Sequence, residues 1–148
     1  MRKHLILFSV ISAFAVTTAE AQEYRIKSAG CNMSGNYLIE TVATAPQALS
    51  KNDAKALLQK CAVMGVLYRG AEATACYAAY APLLPNSPHQ AQALLDSISK
   101  NGSLDGTADL IAPITARKIR RKSRYEYSTQ IAINMSRLRT LIATHGLH

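Results

Sequence analysis

The sequence predicts an α+β domain in which an antiparallel sheet of three to four strands carries a central helix packed on one face, with two shorter helices beside it. Apolar and polar residues alternate over residues 125–135, which is typical of a half-buried strand. Apolar residues recur at helical spacing over residues 50–68, and the second half of this segment is apolar all round. Such a helix must be covered on more than one side. A content of 49% hydrophobic and 18% charged residues in 148 fits an ordinary folded chain.

The first half of the chain predicts a strand, the central helix and a loop. Residues 37–43 are rich in β-branched and aromatic types, which favours a strand. Ser50 opens a capping box at the start of the central helix, and Gly70 marks its end. The alanine-rich residues 71–81 are compatible with one or two more helical turns, whereas three prolines predict a loop over residues 82–87.

A second, amphipathic helix follows this loop. Ser87 is suited to its N-cap and Pro88 to its first position, where the missing N–H of proline costs nothing. The helix closes near Gly102. Its predicted core-facing residues are Ala91, Leu94, Leu95 and Ile98.

The last part of the chain predicts a β-hairpin and a terminal helix. Residues 110–119 indicate a strand in which Pro113 marks an edge or a bulge. This strand is expected to pair with residues 125–135 through a turn within residues 120–123. Ser136 is the expected N-cap of the final short helix.

The first 21 residues have the pattern of a secretory signal peptide. Two cations precede an apolar run over residues 5–16, and Ala19-Glu20-Ala21 supplies a cleavage site. The run is shorter than the roughly 20 residues that span a bilayer, and no later segment is more apolar. We therefore predict a signal peptide over 1–21, a single domain over 22–148 without a transmembrane segment, and a periplasmic or outer-membrane location. Lipidation of Cys31 is disfavoured because four charges separate it from the apolar run.

The chain is basic, with a formal net charge of +8. Loss of Arg2, Lys3 and Glu20 with the signal peptide reduces 17 basic and 9 acidic side chains to 15 and 8, which leaves +7. This charge favours anionic lipid headgroups and envelope glycans, because an exported protein rarely meets nucleic acid. Nucleic acid is further disfavoured by the absence of Trp and of an adjacent aromatic pair for stacking.

Three cysteines enter an oxidising compartment, where at most one bridge within the chain can form. Cys61 falls on the buried face of the central helix, where a free thiol usually behaves as a small apolar group. A disulfide between Cys31 and Cys76 is therefore favoured. No C-x-x-C pair occurs and the histidines form no zinc pattern with the cysteines, so neither a metal site nor a cofactor is predicted.

Six cations lie within eight residues around the predicted hairpin turn. One interpretation is that they keep the sheet edge soluble and discourage the addition of another strand. The other is that they bind headgroups, glycans or an acidic partner protein. The six residues are Arg117, Lys118, Arg120, Arg121, Lys122 and Arg124.

The sequence contains no G-x-S-x-G, H-E-x-x-H or glycine-rich phosphate motif, and it predicts no catalytic residue. His89 is the only histidine in the body of the domain, and Glu40 and Glu126 are acids on predicted strands. A pair of carboxylates across the sheet would be the arrangement that a glycosidase needs. Whether the chain is an enzyme stays open at this point.

Three stretches, residues 35–42, 62–70 and 125–141, carry a resemblance to a family of uncharacterised secreted proteins of Bacteroidetes. The order of elements is distantly similar to small envelope α+β domains such as the N-terminal domain of the flagellar assembly protein T. Cys76 and its alanine-rich surroundings depart from the family, which tends to carry aromatic residues there. The resemblance implies a fold and a compartment and no catalytic residue.

These observations predict an exported, non-enzymatic binding or assembly component of a periplasmic or outer-membrane complex. The expected partner is an envelope protein or an anionic membrane or glycan surface. The alternative is a small secreted hydrolase that acts on envelope glycan or peptide.

Overall fold

The computed structural model describes residues 24–100, 104–120 and 124–146. These ranges contain an antiparallel sheet of five strands and three helices, which confirms the α+β class and raises the number of strands above the predicted three to four. The signal peptide predicted over 1–21 lies outside the described residues, as do Arg121 and Lys122. None of the helices in these ranges has the length and apolar character needed to span a bilayer.

The sheet is built around two long neighbouring strands. Its strands are β1 (Tyr24–Cys31), β2 (Tyr37–Ala45), β3 (Ala108–Leu110), β4 (Thr115–Ile119) and β5 (Arg124–Ile133). The strand order is β1-β2-β5-β3, and β4 pairs with β5 beyond the end of β3. The helices are α1 (Lys51–Met64), α2 (Pro88–Lys100) and α3 (Met135–Thr144), and α1 continues into a π-helical turn over Gly65–Arg69.

Strand β1 was missed by the sequence-based prediction, although it carries a short version of the same alternating pattern as β5. Its inward-facing residues Tyr24, Ile26 and Ser28 are buried. Arg25 and Lys27 lie between them and pair in register with β2. The alternation covers only five residues, which is too short to stand out beside the charged residues around it.

Residues 71–81 are not helical, although their alanine content is compatible with one or two helical turns. Gly70 adopts a φ of +76°, which ends the helical segment. The backbone N–H of Ser28 donates to the carbonyl of Glu72 at 2.8 Å, and Ala71 forms a bridge with Tyr80. This segment therefore covers part of the outer edge of β1. Its backbone satisfies hydrogen-bonding groups of that edge, which it could not do if it formed a separate short helix.

The predicted hairpin is confirmed, but its first strand is interrupted. Pro113 lies between β3 and β4, as expected of a residue that cannot donate to a ladder. The hydroxyl of Thr129 in β5 donates to the carbonyl of Ala112 at 2.7 Å and so satisfies a group left by the break. The cap predicted at Ser136 is wrong, because the side chain of Asn134 accepts from the N–H of Arg137 at 3.0 Å.

Helix α1 lies across one face of the sheet and forms the centre of the core. Its predicted cap is confirmed, since the hydroxyl of Ser50 accepts from the N–H of Asp53 at 3.1 Å. Leu58 and Val63 are fully buried, and Gly65 brings the end of the helix against Ile26 of β1. Helix α2 packs on α1 and the π-helical turn. Its four predicted core residues are all buried: Ala91, Leu94, Leu95 and Ile98.

The approach of α1 to β1 predicts that Gly65→Ala destabilises the fold. A Cβ at residue 65 would overlap Cδ1 of Ile26 and lie 3.0 Å from its Cγ1. Overpacking a core costs about 1–3 kcal/mol, whereas alanine gains at most about 1 kcal/mol in helix propensity. Denaturant titration should therefore show a net loss of stability. In an Ile26→Val background, which lacks Cδ1, the same change should cost less, and an equal cost in both backgrounds would contradict the contact.

Candidate functional site

The strongest concentration of positive charge lies on the basic hairpin, which we define as β4, β5 and the turn between them. Four of its six predicted cations lie in the described residues. Arg117, Lys118 and Arg120 are exposed, and Arg124 is half-buried. Four of the five residues of β4 are exposed, so this strand is an edge whose side chains face solvent on both sides.

The cations of the basic hairpin do not form one flat patch. Arg117 lies opposite Glu126 in the ladder, and its Nη2 is 2.8 Å from Glu126 Oε1. Lys118 lies on the other face of β4, with its Nζ 5.9 Å from the centre of the Tyr125 ring. Arg124 donates to the Thr44 hydroxyl at 3.5 Å. A hydrogen bond of this length is weak.

This arrangement follows from strand geometry, because successive side chains of a strand point to opposite faces. The described cations of this run therefore form two charged rims, one on each face of this edge of the sheet. An anionic surface that meets this edge end-on would contact both rims, whereas a ligand lying on one sheet face would contact one of them.

The residues considered for hydrolysis are not brought together. Glu40 pairs in register with Gln130, and Glu126 pairs with Thr44, so the two carboxylates are four residues apart along β5. At about 3.3 Å per residue this offset is about 13 Å, more than the roughly 5–9.5 Å that separates the carboxyl groups of glycosidases. His89 lies on α2, on the helical side of the sheet, whereas Glu126 lies on the opposite face.

A groove of about 470 Å³ lies between α1 and α2. Its apolar lining comes from Tyr24, Leu57, Cys61, Met64 and Leu95. Its polar lining comes from Lys60, Gln92, Asp96, Ser99 and Lys100. The sequence-based prediction missed this site, although Leu57 and Met64, which line it, are apolar residues of α1 that stay half-buried beside the core.

Cys61 forms part of this groove and has the properties of an apolar residue. It is 5% exposed, and burial raises the pKa of its thiol to about 12, while Arg69 and Lys60 act in the opposite direction. The thiol therefore stays protonated at neutral pH and is a poor nucleophile.

Cys31 and Cys76 are both exposed, and no bond joins them in the structure. Their neighbours in the chain are nevertheless in contact. A Cβ on Gly30 would lie 2.9 Å from Cε1 of Tyr77, so the ring of Tyr77 rests on the backbone beside Cys31. The pairing of Cys31 with Cys76 stays a prediction, and this contact favours it.

Tyr80 strengthens the same junction. Its hydroxyl donates to the carbonyl of Gly30 and lies 3.5 Å from the sulfur of Cys31. Its ring stacks on Tyr37, with centroids 3.8 Å apart. Partial burial is the main cause that raises the pKa of Tyr80 to about 12, and the hydrogen bond with Cys31 is the second. The hydroxyl therefore remains a donor throughout the physiological pH range.

No family model, curated protein or solved structure matches this chain. The resemblance to secreted proteins of Bacteroidetes stays a prediction. Over the described ranges, no three His, Cys, Asp or Glu side chains are grouped in a way that could hold a metal ion.

The junction of the two exposed cysteines predicts a specific oxidation product. With oxidised glutathione, one thiolate attacks the glutathione disulfide and releases one reduced glutathione, and the second thiolate then displaces the other. Mass spectrometry of unreduced peptides should show Cys31 joined to Cys76 and Cys61 still reduced. Closing a loop of this length should stabilise the fold by up to about 4 kcal/mol.

Two variants test this assignment. Cys61→Ser should form the same bridge, because the buried thiol takes no part. Cys31→Ser should leave glutathione attached to Cys76. A bridge that contains Cys61, or glutathione on both exposed cysteines of the unmodified sequence, would show that the pairing is wrong.

Proposed function

We propose that this chain is a non-enzymatic binding or assembly component of the bacterial cell envelope, and that its basic hairpin contacts anionic headgroups or glycans. Export through the signal peptide over 1–21 and a periplasmic or outer-membrane location belong to the proposal. The observation that carries it is the exposure of β4 with cations on both of its faces. The acidic face of an envelope protein would offer the same complementary charge.

The ion pair within the hairpin leaves Arg117 available to such a partner. The side chain of Arg117 is 68% exposed although it pairs with Glu126. Surface ion pairs of this kind contribute only about 0–1 kcal/mol, because water competes for both groups. An anionic partner can therefore replace Glu126 with little loss of free energy. Before a partner binds, the ion pair holds the guanidinium of Arg117 at the edge of the sheet.

The separation of the candidate acids supports a binding role over hydrolysis. Glu40 and Glu126 are offset by four positions along the sheet, and His89 lies on its other side. A protective role for the cations at the sheet edge predicts the same stability and the same exposure as a binding role. Only a measurement of association distinguishes these two interpretations.

Replacing the cations of the turn should weaken binding to anionic vesicles without loss of stability. The variant is Arg120→Ser, Arg121→Ser and Lys122→Ser, and the probe is vesicles of phosphatidylglycerol and phosphatidylcholine in a sedimentation assay. At about 1 kcal/mol for each cation near the surface, partitioning should fall roughly a hundredfold. The melting temperature should change little, because Arg120 is exposed and we expect Arg121 and Lys122 in the predicted turn to be exposed too. Surface substitutions usually cost less than about 0.5 kcal/mol each.

A matched control removes the same charge from elsewhere on the protein. Arg25→Ser, Lys51→Ser and Arg139→Ser are exposed positions outside the basic hairpin, and their triple variant should lose much less affinity. Binding of the unmodified protein should also fade as salt rises, because the screening length is about 10 Å at 0.1 M. Equal losses in the two triple variants would overturn the proposed role of the hairpin.

A further inference from the structure

The groove between α1 and α2 is shaped for an elongated ligand. On α1 its lining residues follow a spacing of three, one and three positions: Leu57, Lys60, Cys61 and Met64. On α2 they follow a spacing of three, one, three and one: Gln92, Leu95, Asp96, Ser99 and Lys100. Each set is a strip along one helix face, about 10–12 Å long at a rise of 1.5 Å per residue.

The size and lining of the groove match those of a small-molecule site. A volume of about 470 Å³ falls in the range of about 300–1,000 Å³ that is usual for ligand pockets, which are mostly apolar with a few polar groups. Leu57 and Met64 are half-buried where they line the groove, so a ligand that fills the groove would remove apolar surface from water. Met64 is also a side chain that adapts its shape to an apolar partner.

The polar groups of the groove favour a ligand with a negative charge. Lys60 and Lys100 are exposed, one on each helix. Asp96 is the acid in the lining, and its Oδ1 already accepts from Nε2 of Gln92 at 2.9 Å. An ammonium on each wall of an apolar groove complements a carboxylate at the end of an apolar chain.

Ser99 supplies an unused polar group at the same place. Its hydroxyl oxygen is buried and has no hydrogen-bond partner among the described residues. A buried hydroxyl without a partner costs free energy, which a ligand oxygen would recover once the Ser99 side chain turns its hydroxyl towards the groove.

From these features we infer that the groove binds a fatty acid, with its chain over Cys61 and Met64 and its carboxylate held by Lys60, Lys100 and Ser99. This site is separate from the basic hairpin, which lies at the opposite edge of the sheet from β1 and Tyr24. Fatty-acid binding at this site is therefore independent of the proposed contact of the basic hairpin with anionic surfaces.

The test compares dodecanoate with dodecanol in titration calorimetry of the purified protein below the critical micelle concentration. Dodecanoate should bind more tightly than dodecanol, because dodecanoate carries a negative charge and dodecanol does not. Lys60→Gln with Lys100→Gln should weaken dodecanoate binding about tenfold or more and leave dodecanol binding nearly unchanged. The control variant Lys51→Gln with Arg139→Gln removes the same charge outside the groove and should bind dodecanoate as the unmodified protein does.

The location of the chain is tested separately. Met64→Trp should fill the groove and abolish binding of both ligands, and dodecanoate should shift the methyl NMR signal of Met64 in the unmodified protein. The methyl signal keeps the location testable if the tryptophan variant does not fold. Absence of dodecanoate binding, equal losses in the two lysine-removing variants, or an unchanged Met64 signal at saturation would overturn the inference.

Discussion

The fold depends on the need to cover a central helix that is apolar on every side towards its end. One side of α1 rests on the sheet, where Gly65 allows a contact with Ile26 that a larger residue would prevent. The other side is covered by α2, and the N–H groups of Leu83 and Leu84 donate to the carbonyls of Val66 and Leu67 at 3.1 and 2.6 Å. The end of the helix is thereby buried with these backbone carbonyls satisfied.

The same covering accounts for the groove. Helix α2 protects α1 through Leu94, Leu95 and neighbouring residues, but two helices in contact along one line leave a furrow beside it. Tyr24, at the start of the edge strand β1, forms part of the wall of this furrow. The proposed ligand site therefore arises where the two-sided burial of α1 is least complete.

Polar contacts hold the other end of this layer in register with the sheet. Gln59 is buried on α1, and its Nε2 donates to the carbonyl of Ala108 at 2.7 Å and to Asp105 Oδ1 at 2.9 Å. Lys55 lies 3.3 Å from the same carboxylate. These bonds attach the short strand β3 to the helix, so that β5 keeps a partner along its length on the side where β4 and its cations form the exposed edge.

The sequence by itself determined the elements whose pattern is long or strongly capped. Alternation over 125–135 predicted β5, the cap Ser50 marked the start of α1 and Pro88 the first residue of α2, because period and helix-start signals are local properties of the chain. Only the tertiary structure decided that β1 exists, that part of residues 71–81 covers its edge and that a groove opens between α1 and α2. Those features depend on which strand edge needs partners and on how two helices cross, and neither is encoded within one local segment.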